Sequence, residues 1–362
     1  MPDHFIGLMS GTSLDGIDAA LVDFSSGVAV THAATTPFED DLRDALQHLI
    51  EQPESASLDD IARADAQLGL AYAAAVHGVL AKAQVPAERI SAIGCHGQTI
   101  RHRPDTTPAF TWQIGDANRI AAATGIPVVA DFRRMDMAVG GQGAPLVPAF
   151  HAAMFASDDE LRVVVNIGGI ANITRLGPTV TGYDTGPGNG LMDAWIQHSK
   201  GERFDRDGAW AASGKVNDEL LATLSADPFF HQAPPRSTGR EHFNRQWLLQ
   251  HLSGLHLPPE DVQATLLALT VESIARELHR ASADRVLLCG GGARNRVLRE
   301  ALATALHDIP VDVTDALGVS ADFVEAAAFA WLARERLAGR PGNLPSVTGA
   351  GRPVPLGAVY LP

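Results

Sequence analysis

Three glycine-rich segments have the residue types to hold a polyphosphate. The first is Gly11-Thr12-Ser13-Leu14-Asp15-Gly16-Ile17-Asp18. Gly11 and Gly16 let the backbone approach an anion closely or take positive φ. Thr12 and Ser13 add hydroxyl donors, and Asp15 is the candidate ligand for Mg²⁺, through water because that ion keeps much of its hydration shell. No Gly-Lys-Ser/Thr follows, so this is not a Walker loop; Asp-Gly is equally common in a plain hairpin turn. The second segment runs from Asn166 to Ile173, with Gly168-Gly169 at the turn and Asn166 and Asn172 on either side. The third, Gly290-Gly291-Gly292, joins a strand to a helix, where bare backbone and a helix N-terminus suit a nucleotide.

Four further places carry side chains for chemistry. In Tyr183-Asp184-Thr185-Gly186-Pro187-Gly188-Asn189, glycines and a proline fix an irregular backbone before a helix, a mount for one aimed carboxylate, Asp184; an Asp in such a place also serves as a turn or cap residue. In Cys95-His96-Gly97-Gln98-Thr99, His96 and Gln98 are candidates to hydrogen-bond a sugar or to act structurally. Cys95 and His96 are no catalytic pair, because adjacent strand residues face opposite ways, and they are too few for zinc. Asp131-Phe132-Arg133-Arg134 precedes the loop Gly140–Pro148. There Arg133 or Arg134 can clamp a carboxylate or phosphate with two parallel hydrogen bonds, or form surface ion pairs. Glu325 lies in the first turns of an otherwise apolar helix, as a complement to the helix dipole or as an active-site acid.

The elements that must position these groups read as α/β, with apolar alternation, glycine turns and amphipathic stretches interleaved. Strands are predicted over 5–10 and 17–24, helices over 39–52 and 58–84, and strands near 90–95 and 126–130. In the second helix Leu68, Tyr72, Val76 and Leu80 share a face. The second half opens as the first does, with a strand over 161–166, the glycine turn and a strand over 170–176. A helix over 260–282, a strand over 285–289 and a helix from about Asn295 follow. Ser320 is the expected N-cap of a last long helix, striped by Phe323, Ala327 and Trp331, and a late strand covers 358–361.

The chain has 362 residues, more than one core usually takes, so two domains are expected. Hydrophobic residues are 46% and charged residues 19%, ordinary for a globular enzyme. A net charge of −14 disfavours nucleic acid and anionic membranes as partners. Cys95 and Cys289 make no disulfide framework. The start lacks a basic and apolar leader, and no apolar run approaches a bilayer span, so the cytoplasm is the expected compartment.

Two phosphate hairpins followed by a glycine-rich nucleotide segment resemble the actin/hexokinase/Hsp70 ATPase superfamily. That resemblance implies two ribonuclease-H-like domains with an inter-domain cleft. The expected division is 1–130 plus 340–362 against 131–339, the latter carrying most sugar and nucleotide contacts. The stretches Gly7–Asp18, Cys95–Thr99, Gly140–Pro148, Asn166–Thr174, Asp184–Trp195, Cys289–Arg294 and Asp322–Ala333 together resemble the anhydro-N-acetylmuramic acid kinase family. The resemblance implies phosphorylation of 1,6-anhydro-N-acetylmuramic acid by ATP with hydrolysis of its anhydro bridge, in peptidoglycan sugar recycling, by a cytoplasmic homodimer. It makes Asp184 the base for water, with Glu325 as a second acidic group. ATP and Mg²⁺ would lie against Gly11, Thr12, Ser13, Leu14, Asp15, Gly16, Ile17, Asp18, Gly168, Gly169, Asn172 and Gly290–Gly292, with Asp15 near the metal. The sugar would meet His96, Gln98, Arg133 and Asn189. Competing readings are a sugar kinase acting on a free hydroxyl, an Hsp70-like ATP-gated binding module, and a glycosidase using Asp184 and Glu325 without ATP. The module would need a peptide-binding domain after the ATPase, and the glycosidase would leave the phosphate hairpins unexplained.

Overall fold

The computed structural model describes residues 3–11 and 14–362. Thr12 and Ser13, expected to meet phosphate, lie outside the described residues. The chain divides into two compact units: residues 1–154, 317–319 and 323–362, and residues 155–316 with 320–322.

In the first unit β1 (His4–Met9) and β2 (Ile17–Asp23) flank the first glycine segment, and β3 (Ala29–Thr36) follows. Leu14 takes φ 55° within the turn, and a Cβ on Gly16 would lie 2.6 Å from the Thr36 carbonyl oxygen, so the turn admits no side chain there. Helices α1 (Asp40–Glu51) and α2 (Leu58–Ala83) come next. α2 starts in a capping box of Ser57 and Asp60 and buries Leu68, Tyr72, Val76 and Leu80 as the spacing predicts. Then come β4 (Ile90–Cys95), the hairpin β5 (Gln98–Arg103) and β6 (Phe110–Ile114), α3 (Ala117–Thr124), β7 (Val128–Ala130), α4 (Phe132–Ala138) and α5 (Val147–Phe155).

The second unit holds β8 (Arg162–Ile167), β9 (Ile170–Leu176), β10 (Val180–Pro187), α6 (Gly190–Lys200), α7 (Asp218–Ser225), α8 (Arg245–His251), α9 (Pro259–Ala281), β11 (Arg285–Cys289), α10 (Arg296–Leu306) and β12 (Val311–Val313). Its sheet runs β10-β9-β8-β11-β12. β8, β9 and β10 are antiparallel in turn, while β11 lies parallel to both β8 and β12.

The chain returns to the first unit as α11 (Val324–Leu337), α12 (Pro345–Thr348) and β13 (Ala358–Tyr360). That unit's sheet runs β3-β2-β1-β4-β7-β13. β1, β2 and β3 are again antiparallel in turn, and β4 is parallel to β1 and β7. Each unit thus has a hairpin-linked trio extended by two parallel strands on the far side of its first strand, which is the ribonuclease-H-like topology. No helix of the described residues is long and apolar enough to cross a membrane.

Several elements, among them the β5–β6 hairpin, α3, α7, α8 and β12, had no expectation from the sequence, and four differences bear on the site. β3 went unread, since its mixed run Ala29–Thr36 is largely solvent-facing. The segment at Asp184 is the strand β10 rather than irregular backbone. α11 starts at Val324 with Phe323 at its cap, so Ser320 is not its N-cap. The first unit extends past residue 130 to 154 and takes in 323–339, because α11 packs on β1 and β4.

Candidate functional site

The first unit gathers Asp18, His96, Arg133 and Glu325. His96, just past β4, is buried against Phe329 with ring centroids 4.7 Å apart. Its Nε2 accepts from Arg133 Nε at 3.0 Å and Nη2 at 2.8 Å. Burial, reinforced by Arg133, holds the imidazole well below its usual range, so it stays neutral. Arg133 also donates Nη1 to the Gly143 carbonyl at 2.8 Å, and burial brings it down to about 10 against the pull of Glu325 and Asp136. Glu325 is exposed at the first turn of α11. The dense protein around it pushes its carboxyl up, with Arg133 opposing and Asp18 assisting.

The other residues expected here separate by environment. Gln98 is wholly buried; its Oε1 accepts from Ser10 Oγ at 2.7 Å, and Ser10 is 2.6 Å from the Tyr72 hydroxyl. Its side chain therefore ties β5 to Ser10 at the end of β1 and, through Ser10, to Tyr72 of α2. Arg134 pairs with Asp131 at the surface. Leu14, Gly16 and Ile17 are buried supports of the turn, whereas Asp15 is exposed. Asp18 accepts from Thr35 Oγ1 at 2.5 Å.

In the second unit three glycine segments converge. The Gly169 carbonyl accepts from the Gly188 and Gly190 amides at 3.0 and 3.1 Å, and the Gly168 carbonyl from Asn189 N–H at 2.7 Å. A Cβ on Gly190 would stand 2.8 Å from the Gly169 oxygen. Asn189 also donates Nδ2–H to the Ile167 carbonyl, at 3.3 Å. Gly290, at φ 79°, and Gly292 pack on Asn166 and Ile167 in the same way. Bare backbone from all three stretches therefore lies together.

Asp184 stands in a row with Asn172 and Asn166, paired in register across β10, β9 and β8. Paired residues share a face, so the carboxylate projects on the side of the two asparagines. Asp184 is half-buried, and its Oδ2 accepts the Thr238 amide at 2.9 Å. Its carboxyl is pushed up by burial; Thr238, Ser237 and Arg236 resist, and Glu241 adds to the push. The half-buried carboxyl therefore holds a proton to higher pH than a free one, on the same face as Asn172 and Asn166.

Four residues of this cluster escaped the sequence reading: Arg236, Thr238, Arg240 and Glu277. Arg236 and Glu277 form an ion pair of 2.9 Å. The Arg240 guanidinium lies over the glycine turn, so that a Cβ on Gly169 would be 2.7 Å from its Nε. The run Pro234-Pro235-Arg236-Ser237-Thr238-Gly239-Arg240, two arginines and two hydroxyls in a loop, was the available signal.

A family model described as anhydro-N-acetylmuramic acid kinase matches residues 3–362. A protein of that name from Xanthomonas campestris pv. campestris (strain 8004) is 54% identical over 364 residues, covering 98% of this chain and 97% of its own. Another, from Shewanella putrefaciens (strain CN-32 / ATCC BAA-453), is 52% identical and covers 99% and 98%. Among solved structures, an activator of the 2-hydroxyisocaproyl-CoA dehydratase from Clostridium difficile with bound ADPNP aligns at a TM-score of 0.47 and 12% identity, covering 90% of this chain and 92% of the other.

Proposed function

Since the chain belongs to the anhydro-N-acetylmuramic acid kinase family, we propose that it phosphorylates 1,6-anhydro-N-acetylmuramic acid with ATP while water opens the anhydro bridge. Water adds its oxygen to C1 and gives a proton to Asp184. The C1–O6 bond breaks, O6 takes the γ-phosphoryl group, and ADP leaves. The products are N-acetylmuramic acid 6-phosphate, ADP and the proton that Asp184 releases to solvent. Phosphorus captures O6, so no separate acid is needed at the leaving oxygen, unlike an ordinary glycoside hydrolysis.

The observation that carries this reading is Asp184, raised by burial and held by the Thr238 amide beside converging glycine backbone. On this reading the Gly11–Asp18 turn, Gly168, Gly169, Asn172 and Gly290–Gly292 hold ATP. His96, Arg133 and Asn189 serve the sugar, and Glu325 orients water or sugar. The donor set fits Mg²⁺, because one exposed carboxylate beside a phosphate turn suffices when phosphates and water complete the shell. Asp15 would hold the ion, which neutralises charge on the transferring group. We also assign a cytoplasmic homodimer without nucleic-acid or membrane partners, in the recycling of cell-wall sugar.

The test is incubation with Mg²⁺-ATP and the anhydro sugar in water enriched in heavy oxygen. The reading expects one product that has gained both water and phosphate, with the heavy oxygen at C1. A phosphorylated product with its bridge intact would instead mark a kinase acting on a free hydroxyl. Bridge opening without nucleotide would mark a glycosidase.

A further inference from the structure

β10 is the edge strand of its sheet, and its register shifts between Asp184 and Gly186. An edge strand beside a bulge has little of its own to fix where a side chain points. Here the outer edge is held by Arg236. The Asp184 amide donates to the Arg236 carbonyl at 3.1 Å, and Arg236 Nε donates back to the Asp184 carbonyl at 3.1 Å. Both backbone polar atoms of Asp184 are thus satisfied by one residue. Two residues on, Thr238 N–H reaches the carboxylate itself.

Arg236 is anchored in turn. Its side chain is 1% exposed and that of Glu277, on α9, is 0% exposed, with Nη2 donating to Oε1 at 2.9 Å. Nη1 donates to the Gln232 carbonyl at 2.8 Å, and the guanidinium lies 4.8 Å over the Phe229 ring. Glu277 further accepts from Tyr183, the residue before Asp184, at 3.1 Å, and from Arg280 at 3.0 Å. A buried ion pair is a poor source of stability, since apolar side chains of like volume usually do as well. A planar fork that reaches a carboxylate and two segments of backbone at once is, by contrast, a good way to fix a geometry.

We propose that Arg236 and Glu277 are positioning residues: their buried pair clamps the Asp184 peptide from the open edge of β10 and so aims its carboxylate at the attacking water. This rests on the reading of Asp184 as the base. It adds that the aim of that base is set from α9, by residues that touch neither sugar nor nucleotide.

The test compares Arg236→Lys, Arg236→Met, Glu277→Gln and the double variant Arg236→Met/Glu277→Leu with the parent protein. Arg236→Lys keeps the charge pair and the double variant leaves no charge buried alone, so both are suited to fold. Misplacing a reacting group by about 1 Å costs on the order of 10²-fold. The double variant is therefore expected to lose roughly 10²-fold in kcat, and Arg236→Lys about 10-fold, with KM for sugar and ATP within about threefold. The acid limb of the kcat profile separates aim from mere stability. Besides Arg236, the charged group acting on Asp184 is Glu241. Losing the cation in Arg236→Met moves the limb to higher pH. Losing the anion in Glu277→Gln leaves Arg236 unneutralised and moves it to lower pH. Opposite shifts with a kcat-specific loss support the proposal. Parental kcat in folded Arg236→Lys and double variants, or limbs moving the same way, would overturn it. An inactive parent protein would instead sink the reading of the reaction.

Discussion

Gly7 on β1 and Gly94 on β4 are partners in register, and the backbone of α11 lies directly over both. A Cβ on Gly7 would fall within the Ala326 carbonyl, and one on Gly94 within that of Phe329. The two bare strands let the helix sit on the sheet at backbone distance, which fixes the height of Glu325 at its first turn and of Phe329 under His96. Gly7→Ala or Gly94→Ala must lift the helix, because a carbonyl oxygen in a helix cannot swing aside. The expected cost is at least about 2 kcal/mol in chemical denaturation, with turnover falling further than stability alone requires. An unchanged denaturation midpoint would show that α11 is free to move.

Asp184→Asn keeps the volume and, through its amide oxygen, an acceptor for the Thr238 amide, but cannot take a proton from water. Turnover is expected to fall at least about 10²-fold, while ATP binding measured by calorimetry stays within about twofold. Parental kcat would remove Asp184 from the role of base.

How much of this was visible in the chain follows from what each signal depends on. The strands that were expected and the α2 stripe rest on local periodicity, and the structure has them within a residue or two of their expected places. Asp184 was singled out by its glycine and proline neighbours. Its clamp was not, because Arg236 and Glu277 are 52 and 93 residues further on, and their meeting depends on how a long insertion folds back on β10. Gln98 stood out as polar in the sequence, but its bond to Ser10 depends on the packing of β1 and α2 and could not be read from it. The units were misdivided for a related reason, since α11 follows the second sheet in sequence but belongs to the first.

Acid should destabilise the fold through its buried imidazoles. His96 is held well below the ordinary 6.5 and His151 is brought down to about 3, in both cases by burial first. A depressed native value means that the unfolded chain takes up the proton first. The stability is therefore complete above 6.5 and is lost as pH falls toward the native values. Each histidine accounts for up to about 2 kcal/mol between pH 6.5 and 5. Denaturation midpoints at those two values measure the sum, and His151→Gln should remove about half of the difference. A pH-independent midpoint would mean that neither ring is desolvated.

Asp136 ties the glycine loop after α4 to the C-terminal tail. Its buried carboxylate accepts from Asn343 Nδ2 at 2.7 Å, Thr348 Oγ1 at 2.8 Å and the Gly143 amide at 2.8 Å. Gly143 in turn gives its carbonyl to Arg133, so the tail reaches Arg133 and His96 through a single carboxylate. Asp136→Asn turns one acceptor into a donor among three donors, leaving at least one pair opposed, at about 1–3 kcal/mol. Asn343→Ala removes a donor without creating that clash and should cost less. In Asp136→Asn the Gly143 amide loses its acceptor and the carbonyl that Arg133 uses is no longer fixed, while Asp184 is untouched, so KM for the sugar is expected to rise several-fold with kcat nearly constant; Asn343→Ala, which leaves the Gly143 bonds in place, should raise KM less. A fall in kcat at constant KM would mean that Arg133 serves the chemical step rather than the holding of the sugar.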